Sequence, residues 1–334
     1  MRLELPGFLD IQVNGFAGVD FNDPESSPEE ITRAIDAIHA TGVTRLLPTL
    51  VTGPLERFAR CARTLIDLDL PGVAGLHMEG PYISPLDGPR GAHPLAHVAP
   101  ASLDDFARRQ EAADGRIVLV TLAPEVPGAL ALIEHLAGSG IRVAIGHSDA
   151  APTVVRDAVA AGATLSTHLG NGCAAMLPRH QNVIWEQLAT DGMWASVIAD
   201  GHHLPPSMVK VFARTKPAHR MILVTDAIAA AGCRPGPYRL GEIDIDLARD
   251  GRVSLRGTPF LAGSALSMPE AIGNAVRFTG LELDRVIAMA SSIPANYMGI
   301  ATSGTVTAEW TEEESILRVL EVSGGSFIPS GAWP

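Results

Sequence analysis

Basic residues are scarce in this sequence. It carries 25 Lys and Arg against 37 Asp and Glu, a formal charge of −12, and its only lysines are Lys210 and Lys216. No run of Lys or Arg occurs, which disfavours nucleic acid and anionic membranes as partners. A small anionic substrate stays compatible, because a few local arginines outweigh a diffuse negative field at short range. Cysteine is rarer still. Cys61, Cys173 and Cys233 are odd in number and widely spaced, which argues against a disulfide framework and for a reducing, cytoplasmic setting. No apolar run approaches the length of a membrane span. Met1 to Gly7 include a charge and lead into a strand, so no signal peptide is expected. Low-complexity tracts and fixed-period repeats are also absent.

What is present is a chain of 334 residues, 46% hydrophobic, with 33 Gly and 25 Pro. That suits one large α/β domain with a small appendage. Apolar runs recur at 7–13, 45–51, 73–78, 117–123, 142–146, 164–167, 194–199 and 221–225, and helical signals lie between them. Ser27-Pro-Glu-Glu-Ile is an example: a cap, a proline at the first helical position and acids in the first turn. Segments 127–136 and 151–161 behave likewise. Eight strand–helix alternations predict a (β/α)8 TIM-like barrel. The competing doubly wound sheet usually places a glycine-rich phosphate turn after its first strand, and this sequence has none. The expected catalytic barrel spans residues 6–300. Within it, 234–258 alternate around Asp250-Gly251 as a β insertion near the mouth, and helices are expected at 267–278 and 282–291. A small, reduced β element is expected at 301–334.

Four of the apolar runs end in side chains that bind metal or move protons: Leu76-His-Met-Glu79, Val143-Ala-Ile-Gly-His147, Thr164-Leu-Ser-Thr-His168 and Leu223-Val-Thr-Asp226. Each polar group taken singly fits a hydrogen-bonded position on a barrel rim. Together, at strand ends that converge on one mouth, a Glu and two His suit a zinc-like ion with one position open to water. Asp226 on another strand is placed to move a proton. This is equipment for hydrolysis. A barrel that keeps the ligands but only binds a sugar is the non-catalytic alternative, and the complete set with Asp226 argues against it.

Further motifs occur in order along the chain: Pro6-Gly-Phe-Leu-Asp10-Ile-Gln-Val-Asn-Gly15, His77-Met-Glu79-Gly-Pro81, Gly91-Ala-His93-Pro94, Thr121-Leu-Ala-Pro-Glu125, Gly146-His147-Ser148, Thr167-His168-Leu-x-Asn171, Ile198-Ala-Asp-Gly-x-His203, Thr225-Asp226-Ala227 and Gly263-Ser264-x-Leu266. With these the chain resembles the amidohydrolase superfamily and, within it, the N-acetylglucosamine-6-phosphate deacetylase family. The resemblance implies removal of the acetyl group from an N-acetyl amino sugar, and by analogy a homodimer. It implies metal ligation by Glu79, His147 and His168, and general base then acid catalysis by Asp226. It places His93 at the acyl carbonyl or the sugar, and Asn171, Arg179 and His203 at the sugar phosphate. Many superfamily members hold a second metal with His-x-His on the first strand. Here that position is Gln12-Val-Asn14, and neutral amides are poor zinc ligands. One divalent ion is therefore expected: zinc, with iron or cobalt also compatible with the donor set.

The sequence departs from the family pattern at the expected phosphate end. Gly170-Asn171-Gly172-Cys173 replaces an aromatic residue followed by Asn-Ala-Met, and Arg179-His180-Gln181-Asn182 stands where relatives have Arg-Glu-Pro-Gly. His202 beside His203 is an addition, and only five residues precede Pro6-Gly-Phe. The small β element must therefore be reduced or built from the tail alone. A different N-acyl sugar, an N-acyl amino acid or a cyclic amide remains the alternative substrate.

Overall fold

A computed structural model describes residues 1–70, 72–240 and 243–323. The strands are β1 (Arg2–Pro6), β2 (Phe8–Val13), β3 (Val43–Val51), β4 (Leu76–Glu79), β5 (Ile117–Leu122), β6 (Arg142–Ile145), β7 (Leu165–Ser166), β8 (Trp194–Val197) and β9 (Met221–Leu223). Strands β2 to β9 form one parallel row in chain order. All eight apolar runs of the sequence supply a member of this row. They lack polar alternation because helices cover the outer face and side chains fill the interior; all six residues of β2 and all four of β4 are buried.

The two ends of the row meet. A parallel bridge joins Val13 to Ala227. Across the same seam the Asn14 amide donates to the Ala227 carbonyl at 2.7 Å, and the Asp226 amide to the Gln12 carbonyl at 2.9 Å. Deeper in the seam the buried Asp10 carboxylate accepts the Thr225 hydroxyl at 2.5 Å. Burial pushes Asp10 up to about 7, against lowering by the bonds from Thr225 and Gln12. Closing the barrel thus places Gln12 and Asn14 beside the last strand's exit.

The covering helices are α1 (Pro28–His39), α2 (Leu55–Asp67), α3 (Leu103–Ala112), α4 (Ala129–Gly138), α5 (Pro152–Ala161), α6 (Val183–Ala189), α7 (Pro206–Thr215), α8 (Met268–Thr279), α9 (Leu283–Ala290) and α10 (Ser292–Met298). Helix α1 starts at Ser27, whose hydroxyl and Glu30 form a reciprocal capping box; Ser267 and Glu270 do the same for α8. Helix α10 adds a third element where sequence patterns predict two. Pro294 reads as a breaker, but it sits in the first turn, where its missing N–H costs nothing.

Three more strands, β10 (Gly236–Leu240), β11 (Ile243–Leu247) and β12 (Val253–Leu255), form an antiparallel meander. Its Ile245, Leu247 and Val253 pack with Ile228, just past Asp226, which sets it over the barrel mouth. Of the last two strands, β13 (Thr305–Thr311) pairs with β1, so that Arg2 opposes Glu309 and Pro6 opposes Thr305, and β14 (Ile316–Ser323) pairs with the other edge of β13. Among the described residues the appendage is therefore reduced to three strands, and it takes one from the N-terminal segment, not the tail alone. Helix α8 packs on it closely: a Cβ on Gly273 would lie 2.2 Å from the Ser315 carbonyl oxygen. Residues 324–334 of the expected C-terminal element, and Gly241 and Glu242 of the insertion, lie outside the described residues.

Candidate active site

Glu79 is the last residue of β4 and pairs in register with Val51 and Thr121. His147, His168 and Asp226 follow the ends of β6, β7 and β9 by two or three residues. All three adopt left-handed backbone conformations, with φ of 51°, 28° and 49°. Non-glycine residues rarely hold such angles, and here the surroundings enforce them. The Ser196 hydroxyl accepts the His168 amide at 2.8 Å, the Gln12 carbonyl accepts the Asp226 amide, and the Ser84 amide donates to the His147 carbonyl at 2.9 Å. These kinks turn the side chains inward from separate strands.

The result is a tight triangle. Glu79 Oε1 lies 3.1 Å from His147 Nε2 and 3.1 Å from His168 Nε2, and the two Nε2 atoms lie 3.1 Å apart. All three residues are buried. His147 Nδ1 stands 2.9 Å from the Pro89 carbonyl oxygen. A carbonyl only accepts, so Nδ1 carries the hydrogen and a neutral His147 turns its Nε2 lone pair to the centre. Three electron-rich atoms at this spacing repel unless something positive lies among them. A proton bridges one pair; a metal ion satisfies all three. Bonds of 2.0–2.1 Å to a tetrahedral ion separate its ligands by about 3.3 Å, close to the observed triangle. The residues present fit the group. Burial alone would raise the Glu79 carboxyl, but the contacts with His147 and His168 hold it well below the usual carboxylate range. Burial opposes charge on His168, yet the Glu79 carboxylate raises it overall. Its Nδ1 has no partner among the described residues.

Gln12 and Asn14 adjoin the triangle as hydrogen-bond donors. Gln12 Nε2 donates to Glu79 Oε1 at 3.1 Å, and Asn14 Nδ2 to Asp226 Oδ1 at 2.6 Å. Burial and then the Glu79 charge push Asp226 up to about 6, against the pull of His168, His203 and Asn14. His93 Nε2 is 3.3 Å from His147 Nε2, and its Nδ1 is 2.8 Å from the Thr52 hydroxyl. Burial, reinforced by His147, drives His93 down to about 3, so it stays neutral. His203 donates from Nδ1 to Asp200 at 2.6 Å, and Asp200 also accepts the backbone amides of His202 and His203 at 2.8 Å. The added His202 turns the other way, with Nε2 3.0 Å from the Asp250 carbonyl on the meander.

The expected phosphate residues are less gathered. Asn171 turns its Nδ2 back to the His168 carbonyl at 3.1 Å. Arg179 is exposed in the loop between β7 and α6, and no hydrogen bond joins it to the triangle among the described residues. Three supporting residues carry no role in the sequence reading. Asp200 and Glu125 lie inside quoted motifs, so their signal was present. Glu125 accepts the Ser148 hydroxyl at 2.8 Å and the Asp149 amide at 2.7 Å, clamping the chain just after His147. Thr52, at the end of β3, has no motif to mark it.

Comparison with known proteins agrees with this architecture. Residues 4–310 match the amidohydrolase family. The chain is 36% identical over 319 residues to N-acetylglucosamine-6-phosphate deacetylase of Homo sapiens, covering 90% of this chain and 76% of the relative. It is 32% identical over 327 residues to N-acetylgalactosamine-6-phosphate deacetylase of Shewanella sp. (strain ANA-3), covering 95% and 80%. The crystal structure of N-acetyl-D-glucosamine-6-phosphate deacetylase from Mycobacterium smegmatis superposes with a TM-score of 0.88 at 30% identity, covering 97% of this chain and 86% of that one. A barrel whose strand ends carry a Glu-His-His triangle, matched in sequence and shape along nearly its whole length, belongs to the amidohydrolase family.

Proposed function

We propose that this enzyme removes the acetyl group from an N-acetyl amino sugar, N-acetylglucosamine 6-phosphate, yielding glucosamine 6-phosphate and acetate. The observation that carries the reading is the buried triangle of Glu79, His147 and His168 beside a carboxylate, Asp226, held by Asn14. A single divalent ion, zinc on this N/O set, would be held by those three ligands, acidify a water and polarise the amide carbonyl. Asp226 accepts the proton of the attacking water as its oxygen bonds to the acetyl carbon. It then returns that proton to the amine nitrogen as the C–N bond breaks. His93 hydrogen-bonds the carbonyl oxygen as charge builds there. Gln12 and Asn14 replace the ligands of a second ion with amide donors that aim Glu79 and Asp226.

At the other end of the substrate, Asn171, Arg179 and His203 take the phosphate, with the guanidinium of Arg179 as a two-pronged donor. Met176 and Trp185, 91% and 50% exposed, flank the Arg179 loop and support a homodimer that covers it. Residues 6–300 form the catalytic barrel and the C-terminal strands its appendage. We place the enzyme in the cytoplasm; no helix among the described residues is long and apolar enough to cross a membrane. The likeness to a galactosamine-phosphate deacetylase supports one second reading, the C4 epimer as substrate. Acetate release from metal-loaded protein tests both, on a panel of N-acetylhexosamines with and without 6-phosphate. Release confined to the 6-phosphates is expected. Release from none of them overturns the reading.

A further inference from the structure

We infer that Thr52 is a positioning residue that fixes the tautomer of His93, keeping Nε2–H aimed at the reacting carbonyl and His93 out of the metal's ligand set. The inference rests on the deacetylase reading above. Thr52 is fully buried, and its hydroxyl lies 2.8 Å from His93 Nδ1, with no other hydrogen-bond partner among the described residues. If Nδ1–H donated to the hydroxyl, the hydroxyl's own hydrogen would be buried without an acceptor, which folded proteins avoid. Thr52 therefore donates to Nδ1, and the remaining hydrogen of the neutral ring sits on Nε2. The other nitrogen, Nε2, lies 3.3 Å from His147 Nε2, at the edge of the triangle.

The consequence is chemical. An imidazole nitrogen bearing hydrogen cannot ligate a metal, and one with a lone pair cannot stabilise an oxyanion. Without the Thr52 hydroxyl, His93 is free to turn a lone pair to the centre, become a fourth ligand and block the position that water needs.

Neighbouring groups hold Thr52 in place. Its carbonyl accepts Arg57 Nη2 at 2.8 Å, and the Gly53 carbonyl accepts Arg109 Nη2 at 3.3 Å. Arg109 is held by Asp105 at 2.8 Å, which also accepts the Tyr82 hydroxyl at 2.7 Å. Gly80, directly after the ligand Glu79, leaves the room: a Cβ there would lie 2.1 Å from the Thr52 hydroxyl oxygen. The sequence Glu79-Gly-Pro thus serves both the ligand and the hydroxyl facing it.

The test combines a spectrum with kinetics on the metal-loaded, full-length protein. With ¹⁵N-labelled histidine, the His93 signals, assigned by their loss in His93→Gln, are expected to report protonated Nε2 and bare Nδ1. Thr52→Val is expected to keep one metal per chain and an unchanged KM while lowering kcat about a hundredfold, as loss of an oxyanion donor does. Thr52→Ser, which restores the hydroxyl, is expected to recover most of that rate. A wild-type spectrum with hydrogen on Nδ1 overturns the inference, as does a Thr52→Val enzyme with wild-type kcat or a Thr52→Ser enzyme no better than Thr52→Val. The spectrum needs no turnover and, beyond the His93→Gln protein used for assignment, no variant, so it decides the tautomer even if no N-acetyl sugar releases acetate and the deacetylase reading falls.

Discussion

The two ends of the barrel mouth are built in different ways. Glu79, His147, His168 and Asp226 hang from strand termini; the first three are buried, and the last three are fixed by backbone hydrogen bonds at improbable φ angles. Asn171 and Arg179 hang from the long connection between β7 and α6, where Met176 and Arg179 face solvent. In the proposed reading the first end makes and breaks bonds, which needs reacting groups held to fractions of an ångström. The second is a loop, the part of a barrel that changes most readily between relatives. On the proposed reading chemistry and substrate choice are therefore separable, and substitutions at the two ends are expected to differ in kind.

The sharpest contrast is expected from Asp226→Asn, which removes the proposed proton carrier but keeps shape and the Asn14 neighbour. Turnover should fall about 10³-fold or more while metal content stays at the wild-type level. An active Asp226→Asn enzyme would break the division between a rigid reactive end and a variable binding end. Next in size, Arg179→Ala should raise KM about tenfold to a hundredfold for phosphorylated substrates only, with kcat unchanged, as loss of one charged hydrogen-bond partner does. Equal losses on phosphorylated and plain sugars would remove Arg179 from the phosphate end.

Acidity offers a subtler probe of the rigid end. Burial, helped by the Glu79 charge, lifts Asp226 to about 6, and only its ionised form accepts a proton. A bound cation draws that value down, so kcat/KM should fall with decreasing pH along a limb at or below about 6. Asn14→Ala, which deletes a bond to the ionised form, should move the limb upward. A limb that ignores Asn14 would contradict the pairing. The smallest effect concerns the seam. Burial raises Asp10 to about 7 from an ordinary 3.8, so the folded protein holds a proton that the unfolded chain releases. Stability from this group is full below about 4 and is lost as pH rises through about 7, on the order of a few kcal/mol. Asp10→Asn should flatten the difference in urea midpoint between pH 5 and pH 8. Asp20, raised to about 6 mainly by burial, leaves a residual slope.

Strand ends were the legible part of this sequence. Doubly covered parallel strands leave unbroken apolar runs, so a Glu or His closing such a run is conspicuous, and all four rigid-end groups were visible that way. Helix α1 could be read because Ser27, Pro28 and Glu30 are local signals. What escaped depends on long-range placement. Thr52 is one threonine among many until folding sets it against His93, 41 positions away. The pairing of β1 with β13 joins segments some 300 residues apart, and no local pattern encodes it. Gln12 and Asn14 were legible as absent ligands, but their donor roles toward Glu79 and Asp226 follow only from closing the barrel.

The central claim is that one cation binds where Glu79, His147 and His168 converge. Metal stoichiometry after equilibrium dialysis against zinc, in the wild type and in His147→Ala, tests it most directly. One ion per chain is expected for the wild type and none held at comparable affinity by the variant, with acetate release lost in step. Two ions per chain in the wild type, or one retained with equal affinity in His147→Ala, would contradict the account.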